Sequence, residues 1–259
     1  MVQNHILQLV CLVAMEFPAR NQADDIRDEK LKVIRCLKNI DSRNVLSNTV
    51  RGQYTEGSIG QKMVPGYLEE ADTKNVRSDT ETFVAIKAEI ENNRWQGVPF
   101  YLRTGKRLPN RYSEIVIQFK PVIFKFIDTA PNAINANQLV IRLQPNEGIE
   151  MKIMNKVPGL SEETRLQNVG LNLSFEEAFE EHRSPSAYER LLLDVTRGDQ
   201  TLFMRSDELH SAWRWVDDIL DGWHKTDQAT QKYRAGTIGP EDSLSLLLCD
   251  GRKWQNFDE

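Results

Sequence analysis

The order of elements in this chain predicts an α+β fold, a large, mostly antiparallel β-sheet with helices packed on one face. Three observations carry that expectation. Helical apolar patterns fill roughly the first 40 residues, strand-like alternation runs from about residue 82 to 175, and punctuated amphipathic segments follow Ser184. With 259 residues and 29.9 kDa the chain can form one large domain or two modest ones, and 40% hydrophobic residues suffice for a substantial core.

The first helix is expected from Asn4 to Met15, where Ile6, Leu7, Leu9, Val10, Leu12 and Val13 put apolar side chains on nearly every side. Such a helix must be buried over most of its surface. His5 shares a side with Leu9 and Leu12, so it is expected to point inward. A second helix, Asp25 to Lys38, spaces Ile26, Leu31, Ile34 and Leu37 helically behind Asp24 or Asp25 as N-cap, and should lie on the surface. From Val50 to Glu81 there are few periodic apolar residues, which reads as a long loop with a short helical turn at Gly66 to Glu70.

In the middle of the chain Val84, Ile86, Ala88 and Ile90 share one strand face. The same holds for Leu139, Ile141 and Leu143, for Ile149, Met151 and Ile153, and for Leu171, Leu173 and Phe175, with Asn146-Glu147-Gly148 as a turn. Arg142, Glu150 and Lys152 would occupy the wetter side. After it, Ser184 as N-cap, Pro185 in the first turn and Gly198 as stop bound a helix from Ala187 to Arg197. Ser206 caps a longer helix to Trp223, Gly236 to Pro240 is a turn, and Glu241 to Leu248 a short helix.

A net charge of -5 and a pI near 5.6 argue against a nucleic-acid binder. The apolar run Ile6 to Met15, about ten residues, is too short for a bilayer and lacks a signal-peptide pattern, so no membrane partner is expected. Cys11, Cys36 and Cys249 are odd in number, without zinc spacing, and read as buried or free thiols in a reducing, cytoplasmic setting.

One segment departs from the acidic background. Between Glu91 and Glu114 there is no carboxylate, while Arg94, Arg103, Lys106, Arg107 and Arg111 are all positive. Lys106 offers a compact ammonium and Arg111 a planar fork on a path stiffened by Pro109, which suits a sugar phosphate or other small anion. A solvated basic turn or a sheet-edge gatekeeper explains the same residues. Arg103, Arg142 and Lys152 could gather as a second cationic patch or pair with carboxylates across the sheet. His182, His210 and His224 sit among charged residues and read as solvated; His5 reads first as a hydrogen-bonded core residue. The glycines Gly52, Gly57 and Gly60 have neither dinucleotide nor P-loop spacing, and no metal-ligand pattern occurs.

Met1-Val-Gln-Asn-His5, Ile26-Arg-Asp-Glu-Lys30, Val50-Arg-Gly-Gln-Tyr54, Pro65-Gly-Tyr-Leu-Glu-Glu70, Gly97-Val-Pro-Phe-Tyr-Leu-Arg-Thr-Gly-Lys-Arg107, Ile141-Arg-Leu-Gln-Pro145, Ala187-Tyr-Glu-Arg-Leu191 and Gly236-x-x-Gly-Pro240 run in order along the chain. In these words it resembles the C-terminal substrate and dimerisation domain of glucose-6-phosphate dehydrogenase over residues 1–259. The resemblance implies oxidation of glucose 6-phosphate at C1 to the lactone with NADP, the first step of the oxidative pentose phosphate pathway. It implies His5 as general base and Lys106 as a substrate-binding residue. Arg111 stands where a second lysine commonly binds substrate. Arg103, Arg142, Lys152 and Trp254 match a second, structural NADP site of some members, and a homodimer through the sheet is implied. Members carry an upstream Rossmann domain, which with the main NADP site is missing here, so the chain reads as a truncated protein, inactive alone. A non-catalytic dimerisation or sugar-phosphate-binding module is the rival expectation.

Overall fold

A computed structural model describes residues 1–71, 77–121, 136–159, 165–179 and 186–255. Helix α1 (Leu7–Ala14) follows a π-helical turn, Val2–Ile6; then come α2 (Ala23–Arg35), α3 (Val45–Asn48), β1 (Thr49–Thr55), and the hairpin β2 (Gly57–Ile59) and β3 (Lys62–Val64). A 3-10 turn at Tyr67–Glu69 leads to β4 (Phe83–Glu89), β5 (Pro99–Gly105), β6 (Ser113–Gln118), β7 (Gln138–Gln144), β8 (Gly148–Lys156) and β9 (Leu166–Ser174). The rest is α4 (Phe175–Ala178), α5 (Ala187–Arg197), α6 (Ser206–Lys225), β10 (Gln231–Arg234) and α7 (Asp242–Leu248). The α+β class with antiparallel sheet is as expected. The expected antiparallel region is shared between two compact units, one of Met1–Pro109 with Pro185–Glu259 and one of Asn110–Ser184.

In the first unit the sheet runs β10-β1-β4-β5, antiparallel except where β10 lies parallel to β1. Val84, Ile86 and Ala88 share one face of β4, as the alternation predicts, and pack with Leu102 against α1, α2 and α6. Phe83 and Ala85 point to the other face, with Val50, Tyr54, Tyr233 and Leu246 and Leu247 of α7. Both faces are therefore covered.

The expected loop at Val50 to Glu81 contains β1, an inner strand. Thr49, Arg51 and Gln53 alternate with Val50, Gly52 and Tyr54, and all six are buried. Burial on both faces erases the one-sided alternation that marks a strand in sequence. Buried polar groups require partners. Thr49 Oγ1 accepts from Trp223 Nε1 at 2.8 Å, Gln53 Nε2 donates to the carbonyls of Ser78 and Thr80 (both 3.0 Å), and Arg51 donates to the carbonyls of Gln228 and Asp79 and to Glu81. The Gly66–Glu70 turn forms as expected, with Glu69 Oε2 accepting from Gly66 N at 3.0 Å.

Two helix expectations change. Helix α2 starts at Ala23 after Gln22, so Asp24 and Asp25 lie in its first turn, where their charge complements the helix dipole, and are not its cap. It lies on the surface as expected, with Asp24, Asp28, Lys32 and Arg35 exposed, but its inner face buries Arg27 and Lys30 along with Leu31, Val33 and Ile34. Arg27 donates to the carbonyls of Gln200 (2.7 Å) and Phe203 (3.1 Å), and Lys30 Nζ lies 3.1 Å from Glu208 of α6 and donates to Gln8 of α1 at 2.9 Å. In α1 the buried stripe is Leu7, Val10, Cys11 and Ala14. His5, about 200° around the helix from Leu7, is exposed and does not point inward; Leu12 on its side is exposed too.

The expected cap Ser184 with Pro185 lies outside the described residues, as does His182. Helix α5 is capped by Ser186, whose Oγ accepts from Glu189 N while Glu189 Oε2 accepts from Ser186 N at 2.7 Å, and it stops at Gly198 with φ +69°. Arg205 caps α6, one residue before the expected Ser206, with its N–H donating to Glu208 Oε2 at 2.8 Å.

The second unit is the antiparallel sheet β6-β7-β8-β9. Leu139 and Ile141 face Met151 and Ile149 across the β7–β8 pair, and Arg142, Glu150 and Lys152 occupy the opposite face, as alternation predicts. No helix among the described residues is long and apolar enough to cross a membrane.

Two consequences are measurable. Lys30→Met should cost about 3–5 kcal/mol in urea denaturation, because it strands the Glu208 carboxylate in the core, while Lys30→Met with Glu208→Leu should recover most of that loss. Strictly additive losses would contradict the pair. Burial pushes the Cys11 thiol up to about 12, whereas Cys249 is exposed. Alkylation of the native chain near pH 8 should therefore label Cys249 and spare Cys11 until urea opens the core. Because the folded value lies above the unfolded one, Cys11's contribution to stability is present below pH ~9 and lost as pH rises toward ~12.

Candidate active site

The basic loop emerges from β5 with its backbone pinned at successive atoms. Lys106 N–H donates to the Thr82 carbonyl at 2.8 Å, and the Tyr233 hydroxyl donates to the Lys106 carbonyl at 2.7 Å. Burial pushes the Tyr233 hydroxyl up to about 12, so it keeps the proton it donates. One residue later the Arg107 carbonyl accepts from Gly236 N–H at 2.8 Å. Gly236 has φ +87° and sits so close to Ser58 that a Cβ would lie 1.9 Å from its carbonyl oxygen, so only glycine fits.

Between these anchors the Lys106 ammonium is exposed and makes no hydrogen bond or ion pair among the described residues. Arg107 beside it is engaged: Nη2 lies 2.6 Å from Glu70 Oε1, which also accepts from the Tyr54 hydroxyl at 3.1 Å. The Arg107 guanidinium and the Tyr54 hydroxyl hold the Glu70 carboxyl below the usual carboxylate range. Arg111 is exposed just ahead of β6; the boundary between the units falls between Pro109 and Asn110, so it and Lys106 are placed in separate units.

His5 stands on the π-helical turn, its N–H and that of Ile6 both donating to the Met1 carbonyl, at 3.0 and 3.2 Å. A π turn widens the helix by one residue and recurs at functional sites. The helix behind it packs on the Val84–Ile86–Leu102 face of the first sheet.

The residues matched to a second nucleotide site fall into two pairs. The Arg103 guanidinium stacks over the Trp254 ring at 4.5 Å, and Trp254 Nε1 donates to the Ser243 carbonyl at 2.8 Å. Trp254 packs with the Phe83–Ala85 cluster, so this pair lies on the sheet face opposite α1 and His5. Arg142 and Lys152 share one face of the second sheet, Arg142 donating to Asn172 and lying in register with Glu114.

The described residues do not fit the main dinucleotide site. Gly52 and Gly57 make room for Pro240 and the Ala235 backbone within the fold, and no cradle opens there toward a phosphate. Among the described residues no group of three His, Cys, Asp or Glu could hold a metal. Sequence reasoning passed over Tyr54, Glu70 and Tyr233, which lock the basic loop, because they reach it from 37 to more than 100 residues away.

Residues 1–255 match the family described as glucose-6-phosphate dehydrogenase, C-terminal domain. Curated proteins named glucose-6-phosphate 1-dehydrogenase from Rhizobium meliloti (strain 1021) and Dickeya dadantii (strain 3937) are 56% and 50% identical over 99% and 100% of this chain, which covers 51% and 52% of them. A solved structure of glucose-6-phosphate dehydrogenase in complex with its substrate glucose-6-phosphate superimposes with a TM-score of 0.84 at 34% identity, over 99% of this chain and 50% of that one. A glucose-6-phosphate 1-dehydrogenase from Mycobacterium avium gives 0.77 at 35%, again over half its length. The chain spans about half the length of the curated relatives it matches, and it belongs to the glucose-6-phosphate dehydrogenase C-terminal domain family.

Proposed function

We propose that this chain supplies the substrate half of an NADP-dependent dehydrogenase that oxidises glucose 6-phosphate at C1 to 6-phosphogluconolactone. The observation that carries this reading is Lys106, an exposed, unpaired ammonium on a loop whose backbone is fixed on both sides. A point charge on a fixed backbone suits a phosphate or a sugar hydroxyl, since only the side chain remains to be ordered on binding. The family resemblance also assigns Arg111 a substrate role, for which its planar donor set is chemically suited. His5 accepts the proton of the C1 hydroxyl as the C1 hydride departs, leaving the carbonyl of the lactone. NADP, when bound, supplies the hydride acceptor; its main site belongs to a dinucleotide-binding domain outside this chain.

Arg103 with Trp254 in the first unit, and Arg142 with Lys152 in the second, are each candidate contacts for a structural NADP on the family resemblance. The second sheet leaves Val169, Leu171 and Leu173 of β9 exposed beside Met151. An apolar sheet face of this kind suits a homodimer of two like chains. The reading places the protein in the reducing cytoplasm, with its three free thiols.

By itself the chain should produce no NADPH from glucose 6-phosphate and NADP; full turnover by the isolated chain would refute the reading. Calorimetric titration should still detect glucose 6-phosphate binding, weakened about 10–100-fold by Lys106→Ala through loss of a charged hydrogen bond. Combined with the N-terminal half of a relative, His5→Asn should lower kcat by about 10²–10⁴-fold with a smaller change in KM. Equal affinity in Lys106→Ala would remove the lysine from the site.

A further inference from the structure

Arg107 adopts φ +54°, and with Asp227 it is one of two non-glycine residues at positive φ among the described residues. For an arginine this left-handed backbone is strained, and such strain persists only where surrounding contacts outweigh it. The backbone bonds from Thr82, Tyr233 and Gly236 hold the loop from one side. On the other side the side-chain anchor is Glu70, whose carboxylate takes both Arg107 and Tyr54.

That anchor is itself rigid. Glu70 ends the 3-10 turn fixed by the Glu69–Gly66 hydrogen bond. Tyr54 is buried, edge-on to Tyr67 at 5.8 Å and to Tyr233 at 6.3 Å. Tyr233 in turn donates to the Lys106 carbonyl. The ring cluster thus touches the loop twice, through Tyr233 at residue 106 and through Tyr54 and Glu70 at residue 107. A free carboxylate so near an anion site would repel the anion, but Glu70 spends its charge on Arg107.

We infer that the Glu70–Arg107 ion pair, closed by Tyr54, is a positioning clasp: it holds residue 107 in the left-handed turn that fixes where Lys106 presents its ammonium to a phosphate-bearing substrate. The substrate part of this statement rests on the function proposed above; the clasp does not. Glu70 and Arg107 act through Lys106, and neither touches the reacting atoms.

Glycine separates positioning from direct binding, because it takes φ +54° without strain and carries no charge. Glu70→Gln should weaken glucose 6-phosphate binding about tenfold, as expected for a displaced binding group. It should also speed amide exchange at Lys106 and Gly236, whose N–H groups pin the loop. Adding Arg107→Gly to Glu70→Gln should return affinity to within about threefold of the parent and slow exchange again. A double variant that binds more weakly than Glu70→Gln would make Arg107 an anion ligand and overturn the clasp. Unchanged exchange in Glu70→Gln would overturn it without reference to any ligand. Lys106→Ala measured beside them reports on the substrate reading alone: no change there sinks that reading, while the exchange data still judge the clasp.

Discussion

The structure depends on satisfying one strand. β1 lies between β10 and β4 with both faces covered, and it carries Thr49, Arg51 and Gln53 into that interior. A buried polar group without a partner costs more than most apolar contacts return. The partners therefore had to come from distant chain: Trp223 to Thr49, Gln228 to Arg51, Lys232 to Gln53. Meeting them draws residues 223–235 alongside β1 and forms the parallel pair with β10. That pairing delivers Tyr233 and Gly236 to the basic loop.

Thr82 is where these demands meet. Its N–H donates to Gly52, its hydroxyl accepts from Tyr54 N and lies 3.1 Å from the Tyr233 hydroxyl, and its carbonyl accepts from Lys106 N–H. One residue thus ties β1, β10 and the loop after β5 to the start of β4. A small polar hub of this kind makes the loop as rigid as the sheet, which is what precise placement of a single cation requires. The Lys30–Glu208 pair does similar work on the other face, joining α1, α2 and α6 through Gln8. The helix behind His5 is thereby fixed to the same core as the strand that leads to Lys106.

What could be read from sequence follows from how many sides of each element are wet. β7 and β8 alternate cleanly, and their faces came out as the spacing implied; β4 is buried on both faces, but its apolar run still marks it as a strand. β1 did not, because nothing in Thr-Val-Arg-Gly-Gln-Tyr-Thr distinguishes two buried faces from a loop. β10, Gln-Lys-Tyr-Arg, is a strand only because β1 needs a neighbour. For His5 the helical period holds but the buried side differs from the expected one: an all-apolar helix gives no phase, and Leu7, Val10, Cys11 and Ala14 occupy the core. Lys106 was legible as charge in an acidic chain. Its fixation by Glu70, Tyr54 and Tyr233 was not, since those contacts are tertiary.

The exposure of His5 bears on how chemistry and coverage are linked. A histidine in open water gains little as a base, because the imidazolium and the departing charge are solvated whether or not the protein is there. Beside it Leu12 is exposed, and Phe17, just past the helix, is 94% exposed. Apolar surface around an ionisable group favours association that removes water from both at once. Covering that surface would strengthen every electrostatic contact to a bound substrate in the same step. On the proposed function, then, the partner that brings the hydride acceptor also creates the dry environment in which His5 becomes an effective base. On the same proposal, contact through Lys106 needs no such cover, since the bonds that pin its backbone lie within the first unit. On that proposal affinity and turnover should separate, the first depending on the pinned Lys106 loop and the second on how far the surroundings of His5 are dried.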